Sequence, residues 1–236
     1  MNFAAIVPTS MLDLIKDDEY QMALAPICVR TDYRYFYRDT KGHLILDNGL
    51  IEGRVADPEG LLQLAVELRA DEVIAPDAYK DMERTLRQLR NFMPVAAAYN
   101  VMAVLQARTW KEFDVIMNES INLGVASVAL PRVLGTTLGG SSRLICAELI
   151  RRVSDIPIHA LGSTEHLTEG VQLAQQGIVR GLDSSAPVVQ GLYGKDLGVR
   201  YTTIRPKDFF SCPSTPQAVK NLQEYRKTLE RQGGIH

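Results

Sequence analysis

The chain has 236 residues, 46% of them hydrophobic and 23% charged, with a formal net charge of -2; this fits one substantial folded domain and excludes a disordered polyelectrolyte or a polycation that holds nucleic acid by bulk attraction. No run reaches the roughly 18 apolar residues of a membrane span, and the start MNFAAIVPTS lacks a signal peptide's basic and apolar segments, so a cytoplasmic protein with no membrane partner is expected. Cys28, Cys146 and Cys212 lie far apart without a C-x-x-C pair, which argues against a disulfide framework or a cysteine-rich zinc site.

Along the chain, eight short β-branched or alanine-rich runs alternate with stretches of helical spacing, the pattern of βα units around a parallel sheet. The runs are Ala4-Ile6-Val7, Met22-Leu24-Ile27-Val29, Leu44-Ile45-Leu46, Val73-Ile74-Ala75, Val101-Ala103-Val104-Leu105, Val125-Val128-Leu130, Ile156-Ile158-Leu161 and Ile178-Val179-Leu182. Eight strands close a (β/α)8 TIM-type barrel, and an open doubly wound sheet would typically carry an early G-x-G-x-x-G, which is absent. Asp57-Pro58-Glu59 opens a helix with a cap and a first-turn proline, its buried stripe formed by Leu61, Leu62, Leu64, Ala65 and Leu68. Further helices are expected near Lys80–Arg90, Thr109–Leu123, Ser141–Val153, Thr164–Gln176 and Thr215–Arg231. The segment TDYRYFYRDTKGH from Thr31 reads as a hairpin or loop, and the stretch from Pro187 to Pro216 as functional loops. With no structureless linker, residues 1–236 form a single barrel domain whose 195–236 portion is a loop and covering helix. From Lys195 to Arg231 eight positive residues face four acidic ones, a local +4 that suits either an anionic partner or a solvated terminal helix.

Active sites of parallel barrels lie at the C-terminal ends of the strands, so the polar residues ending each run are the candidates. Asp47-Asn48-Gly49 ends the third run, Asp77 the fourth, Gln106 the fifth and Asp183 the eighth, while Gly162-Ser163 turns the chain tightly after the seventh. Any one of these aspartates could be a helix cap; Asp47 and Asp183 are the least cap-like pair. Two carboxylates facing across a barrel mouth suit acid, base or nucleophilic work at a sugar carbon, and Asp77 with Gln106 offers an acceptor-only group beside an amide, which matches the edge of a purine-like base. His159 with Asp183 and Asp47 would make a three-ligand metal site, but without clustered spacing His159 reads better as a satisfied interior residue. Arg34, Tyr35 and Arg38 interleave cations with aromatics as phosphate and base contacts do, or as aromatic pairs of a hairpin. The Gly-rich RVLGTTLGGSS from Arg132 matches no P-loop and reads as a flexible loop.

This ordered set of strand ends resembles the tRNA-guanine transglycosylase superfamily, whose barrel members exchange guanine for a 7-deazaguanine within a polynucleotide. The resemblance spans about residues 3 to 190 and rests on the order of the motifs, no one of which is specific. Asp47-Asn48-Gly49-Leu50-Ile51-Glu52 stands where the family has D-S-G-G-F-Q, DEVIAPD supplies the base-binding aspartate as Asp77, and AVLQA the base-binding glutamine as Gln106. Ala160-Leu161-Gly162-Ser163 resembles the L-M-G-V-G turn and GLDSSAP the nucleophile strand, which implies Asp183 as covalent nucleophile and Asp47 as general acid/base. Ile51 replaces the family's stacking aromatic, Glu52 replaces its glutamine, and the C-terminal zinc subdomain is lacking.

Those departures look most like the compact, phage-associated branch that acts on DNA, in the host cytoplasm if phage-encoded. The implied reaction is replacement of guanine in DNA by a 7-deazaguanine such as 7-cyano-7-deazaguanine, with no metal or redox cofactor. Asp77 and Gln106, with Asn48 and Gly49, would hold the base edge, Ile51 and Leu161 its faces, and Gly162 would let it approach the backbone. Arg34, Tyr35, Arg38, Arg200 and Arg205 are the candidate DNA contacts. The alternatives are tRNA as acceptor, a nucleoside or base hydrolase, and a non-catalytic partner subunit; a homodimer or a helper protein is compatible with each.

Overall fold

The structure is a computed structural model that describes residues 1–236 except 54–56, 141, 163–166, 199–203 and 234–236. Eight strands form one all-parallel sheet: β1 (Asn2–Ala5), β2 (Tyr20–Leu24), β3 (His43–Asp47), β4 (Glu72–Ile74), β5 (Asn100–Val104), β6 (Ser127–Pro131), β7 (Ile158–Leu161) and β8 (Gly181–Ser184). The ladder runs β1-β8-β7-β6-β5-β4-β3-β2, and β1 and β2 pack side by side to bring its ends together. This is the expected (β/α)8 barrel. Among the described residues no helix is long and apolar enough to cross a membrane.

Around the sheet lie α1 (Thr31–Arg38), α2 (Pro58–Leu68), α3 (Met82–Val95), α4 (Trp110–Asn122), α5 (Leu134–Thr137), α6 (Ser142–Val153), α7 (Leu167–Gln176), α8 (Ala186–Leu192) and α9 (Pro216–Gly233). Local chemistry sets several of their starts. Asp57 Oδ1 accepts from Gly60 N at 2.9 Å ahead of Pro58, and Asp81 Oδ1 accepts from Arg84 N at 2.9 Å, so it is Asp81 and not Asp77 that caps α3. In α9, Ala218, Leu222, Tyr225 and Leu229 recur at helical spacing and are buried where the helix packs on α7 and α8.

Four expectations are corrected. The segment from Thr31, expected as a hairpin or loop, is the helix α1: Tyr33, Phe36 and Tyr37 fall at i, i+3 and i+4, and Tyr33 and Tyr37 are buried against the barrel. The second apolar run divides into β2 and a 3-10 turn over Ala25–Val29, because Pro26 removes a ladder donor. The segment from Pro187 is helical at its start, with Pro187 in the first turn of α8, where its missing N–H costs nothing. The RVLGTTLGGSS run contains the short helix α5 in addition to turns. The beginning of the helix expected at Thr164 lies outside the described residues, and α7 covers the remainder.

Candidate active site

Strand side chains alternate between faces with a period of two, which assigns the barrel interior. Met22 and Leu24 on β2, Asp47 on β3, Ile74 on β4, Leu161 on β7 and Asp183 on β8 all line one cavity of about 460 Å³ at the C-terminal ends of the strands. Asn48, Ile51, Asp77, Gln106 and Gly162 line it as well. Gly49 contributes through its backbone: its N–H donates to Asp47 Oδ1 at 2.6 Å.

Asp47 follows the apolar Leu44-Ile45-Leu46 core of β3 and is part-buried where it faces the cavity. Burial, reinforced by the negative charge of Glu52 and opposed by the Gly49 N–H, pushes its carboxyl up to about 8, with smaller upward contributions from Asp183 and Asp77. At neutral pH it therefore holds a proton, as a general acid must. Asp183 is arranged differently. Its Oδ1 accepts from Gly162 N at 2.7 Å and lies 3.1 Å from His159 Nε2.

Asp77 is buried at the end of the fourth strand-and-turn unit, where Asn48 Nδ2 donates to Oδ1 at 2.9 Å and Gln106 Nε2 donates to Oδ2 at 2.8 Å. Burial raises its carboxyl above the ordinary value, against both hydrogen bonds. Asn48 is itself tied to Ala75 O at 2.7 Å and to Leu50 N at 2.9 Å, and Gln106 Oε1 accepts from Lys80 N at 3.1 Å. The amides thus orient Asp77 and leave acceptor capacity on its carboxylate for a ligand donor. The amide of Gln106 has one N–H left and its carbonyl is already engaged, a narrower role than the sequence suggests.

Three residues that line or brace this site were not legible in the sequence as parts of it. Tyr79, half exposed, is the only aromatic side chain lining the cavity among the described residues. Arg205 Nη1 donates to Glu52 Oε1 at 2.7 Å across the mouth, so the residue singled out as a strand contact belongs to the cavity itself. Arg143, fully buried on α6, donates through Nη1 to Gly162 O at 2.6 Å and Leu161 O at 3.2 Å and through Nε to Glu169 Oε1 at 2.8 Å. It clamps the turn whose N–H holds Asp183. Gly162 sits at φ +69°, a left-handed conformation that a side chain would strain.

The other candidate polynucleotide contacts lie elsewhere. Arg34, Tyr35 and Arg38 are on α1, outside the barrel wall; Arg34 is 3.4 Å from Glu67, and Arg38 lies over the Tyr35 ring at 4.5 Å and pairs with Asp39 at 3.1 Å. Arg200 and Ser163 lie outside the described residues. The C-terminal positive charge is partly matched locally, with Lys220 3.2 Å from Asp196 and Arg226 paired with Asp18. His159 is an interior residue with both ring nitrogens engaged, and among the described residues no three His, Cys, Asp or Glu side chains converge as a metal-binding group.

The fold defines the chain as a (β/α)8 barrel with its cavity at the strand C-termini. The chain is similar over 99% of its length to 92% of an oxaloacetate acetylhydrolase solved in complex with the inhibitor 3,3-difluorooxalacetate, at a TM-score of 0.55 and 12% identity. At that identity the likeness is one of fold. No family model matches the chain, and no curated protein matches it.

Proposed function

We propose that the protein is a transglycosylase that exchanges guanine in DNA for a 7-deazaguanine, through a covalent ester between Asp183 and the sugar. The observation that carries this reading is the gathering of Asp47, Asp77, Gln106 and Asp183 from four different strand ends into one cavity, while other aspartates, Asp57 and Asp81, do the capping. The cavity, at about 460 Å³, is within the ~300–1,000 Å³ typical of small-ligand sites.

In this mechanism a carboxylate oxygen of Asp183 attacks C1′ of a deoxyguanosine, the C1′–N9 bond breaks, and the departing guanine takes the proton held by Asp47. The 7-deazaguanine then enters, its N9 attacks C1′, the ester bond breaks to restore the Asp183 carboxylate, and the N9 proton returns to Asp47. Two displacements retain the anomeric configuration. Asp77 accepts from the N–H groups of the base's pyrimidine edge, with Asn48 and Gln106 holding both its oxygens in place. Ile51, Leu161 and Tyr79 are the apolar surfaces available to the base faces. C1′ is shielded in stacked duplex, so the nucleotide is extruded or already unpaired, at a cost of a few kcal/mol. Arg205 and Arg132, which both line the cavity, are the candidate cations for its phosphates, with Arg34, Tyr35 and Arg38 as contacts for more distant strand.

The test is to trap the intermediate. Protein incubated with a guanine-containing oligonucleotide and denatured without added base should carry the depurinated strand on the peptide containing Asp183. An adduct on DNA supports the reading, an adduct on tRNA alone moves the substrate to RNA, and free guanine with no adduct in a rapid quench marks a hydrolase that uses water directly.

A further inference from the structure

Behind Asp183 runs a buried polar chain that the exchange reaction above leaves without a role. His159, on β7 and paired in register with Gly181 of β8, is fully buried. Its Nε2 lies 3.1 Å from Asp183 Oδ1 and its Nδ1 2.8 Å from the Tyr20 hydroxyl. Facing Asp183 as a carboxylate, which only accepts, Nε2 is the donor; with the ring neutral, Nδ1 is then the acceptor for the Tyr20 hydroxyl.

Tyr20 is fixed in turn. Its ring stacks on His43 with centroids 5.4 Å apart, and Arg180 Nη2 lies 3.5 Å from its hydroxyl while Arg180 Nη1 donates to Glu72 Oε1 at 2.9 Å. Burial raises the phenol well above its ordinary value, which keeps it a donor. Position 181 must be glycine for this to fit, because a Cβ there would lie 2.5 Å from the Tyr20 hydroxyl oxygen and 2.6 Å from the ring. His159 and Tyr20 are both buried inside a core built largely of apolar strand residues. Apolar side chains of similar volume would fill that space at no loss of stability, since desolvating an imidazole and a phenol is costly unless every polar atom is paired.

We propose that His159 is a positioning residue for Asp183, with Tyr20 fixing its tautomer. Two donors, the Gly162 N–H and His159 Nε2–H, converge on Oδ1, which locks the carboxylate plane and presents Oδ2 to the sugar carbon. The assignment of Oδ2 as the attacking atom rests on the exchange reading; the imidazole–carboxylate arrangement does not.

Two measurements test this on the full chain. In ¹⁵N imidazole spectra His159 should show a protonated Nε2 and an unprotonated Nδ1, with Tyr20→Phe moving population toward the other tautomer; an Nδ1–H tautomer in the wild type overturns the proposal whether or not the protein exchanges bases. In guanine-exchange kinetics His159→Gln, whose amide N–H replaces the ring donor, should stay within about tenfold of wild type, whereas His159→Leu should lose about a hundredfold in kcat with KM for the incoming base unchanged, the size expected for a misaimed reacting group. Tyr20→Phe, which keeps the ring packing, should lower kcat about tenfold. Equal losses in the Gln and Leu variants, an unaffected Tyr20→Phe, or an effect confined to KM would overturn the role. The Nε2–H tautomer in a wild type that exchanges no base on any polynucleotide would refute the exchange reading while supporting the arrangement.

Discussion

Asp47 and Asp183 are both aspartates at barrel strand ends, yet their surroundings differ in the way the proposed exchange requires. Asp183 meets two donors, whereas Asp47, pushed up to about 8 with a single backbone N–H to oppose burial and Glu52, keeps its proton at pH 7. Single-turnover release of guanine should therefore fall as pH rises through about 8, where Asp47 ionises, and Asp47→Asn should flatten that limb while slowing release by about 10²–10³-fold. A rapid-quench pH series reads both. The same shift has a stability signature: the folded state binds a proton that the unfolded state releases at its lower, ordinary value of 3.8, so this contribution is complete below that value and is lost as pH rises through about 8. Denaturant titrations across that window should show Asp47→Asn gaining on wild type as pH increases. Residue chemistry was legible where a polar residue ended an apolar run, as with Asp77 after Val73-Ile74-Ala75. It was not legible for Gln106, whose amide turns out to orient Asp77, because no sequence pattern reports which partner an amide has already met.

At the scale of elements, the geometry around Asp183 depends on the turn after β7 and its clamp from α6. Arg143→Met removes the donor to the Gly162 and Leu161 carbonyls and leaves Glu169 without its buried cation; the expected cost is about 3–5 kcal/mol, read as a fall in the denaturation midpoint. Gly162→Ala, at φ +69°, should cost about 1–2 kcal/mol by the same measurement and also weaken exchange, because the N–H that holds Asp183 moves with the turn. Helices with caps and clean stripes, such as α2 behind Asp57-Pro58, were readable in the sequence. The helix α1 was not, because Tyr33, Tyr35, Phe36 and Tyr37 carry strand propensity and only burial of Tyr33 and Tyr37 against the barrel decides for helix. Arg143 was equally silent, since an arginine on a helix reads as solvated until its partners are known.

For the whole molecule, eight apolar runs were enough to specify the barrel, because strand count and alternation with helices leave few other closures. The polar chain through its centre was only half legible: His159 and Asp183 stand on neighbouring strands and were both singled out, but Tyr20 on β2 lies 139 residues from His159 and meets it only when the sheet closes. Charge is also reorganised by folding, since Arg205 faces Glu52 and Arg226 faces Asp18, so polynucleotide binding should depend on few phosphates. Arg205→Ala should flatten the logarithmic salt dependence of single-stranded DNA binding by about 0.7, the share of one phosphate that is no longer neutralised, measured by titration from low to physiological salt. Base exchange is tested by offering radiolabelled guanine with single-stranded DNA, duplex DNA or tRNA to wild type, Asp183→Ala and Asp47→Ala. Label entering DNA with the wild type and with neither variant is the predicted result; no label in any polynucleotide, or undiminished labelling by Asp183→Ala, would contradict it.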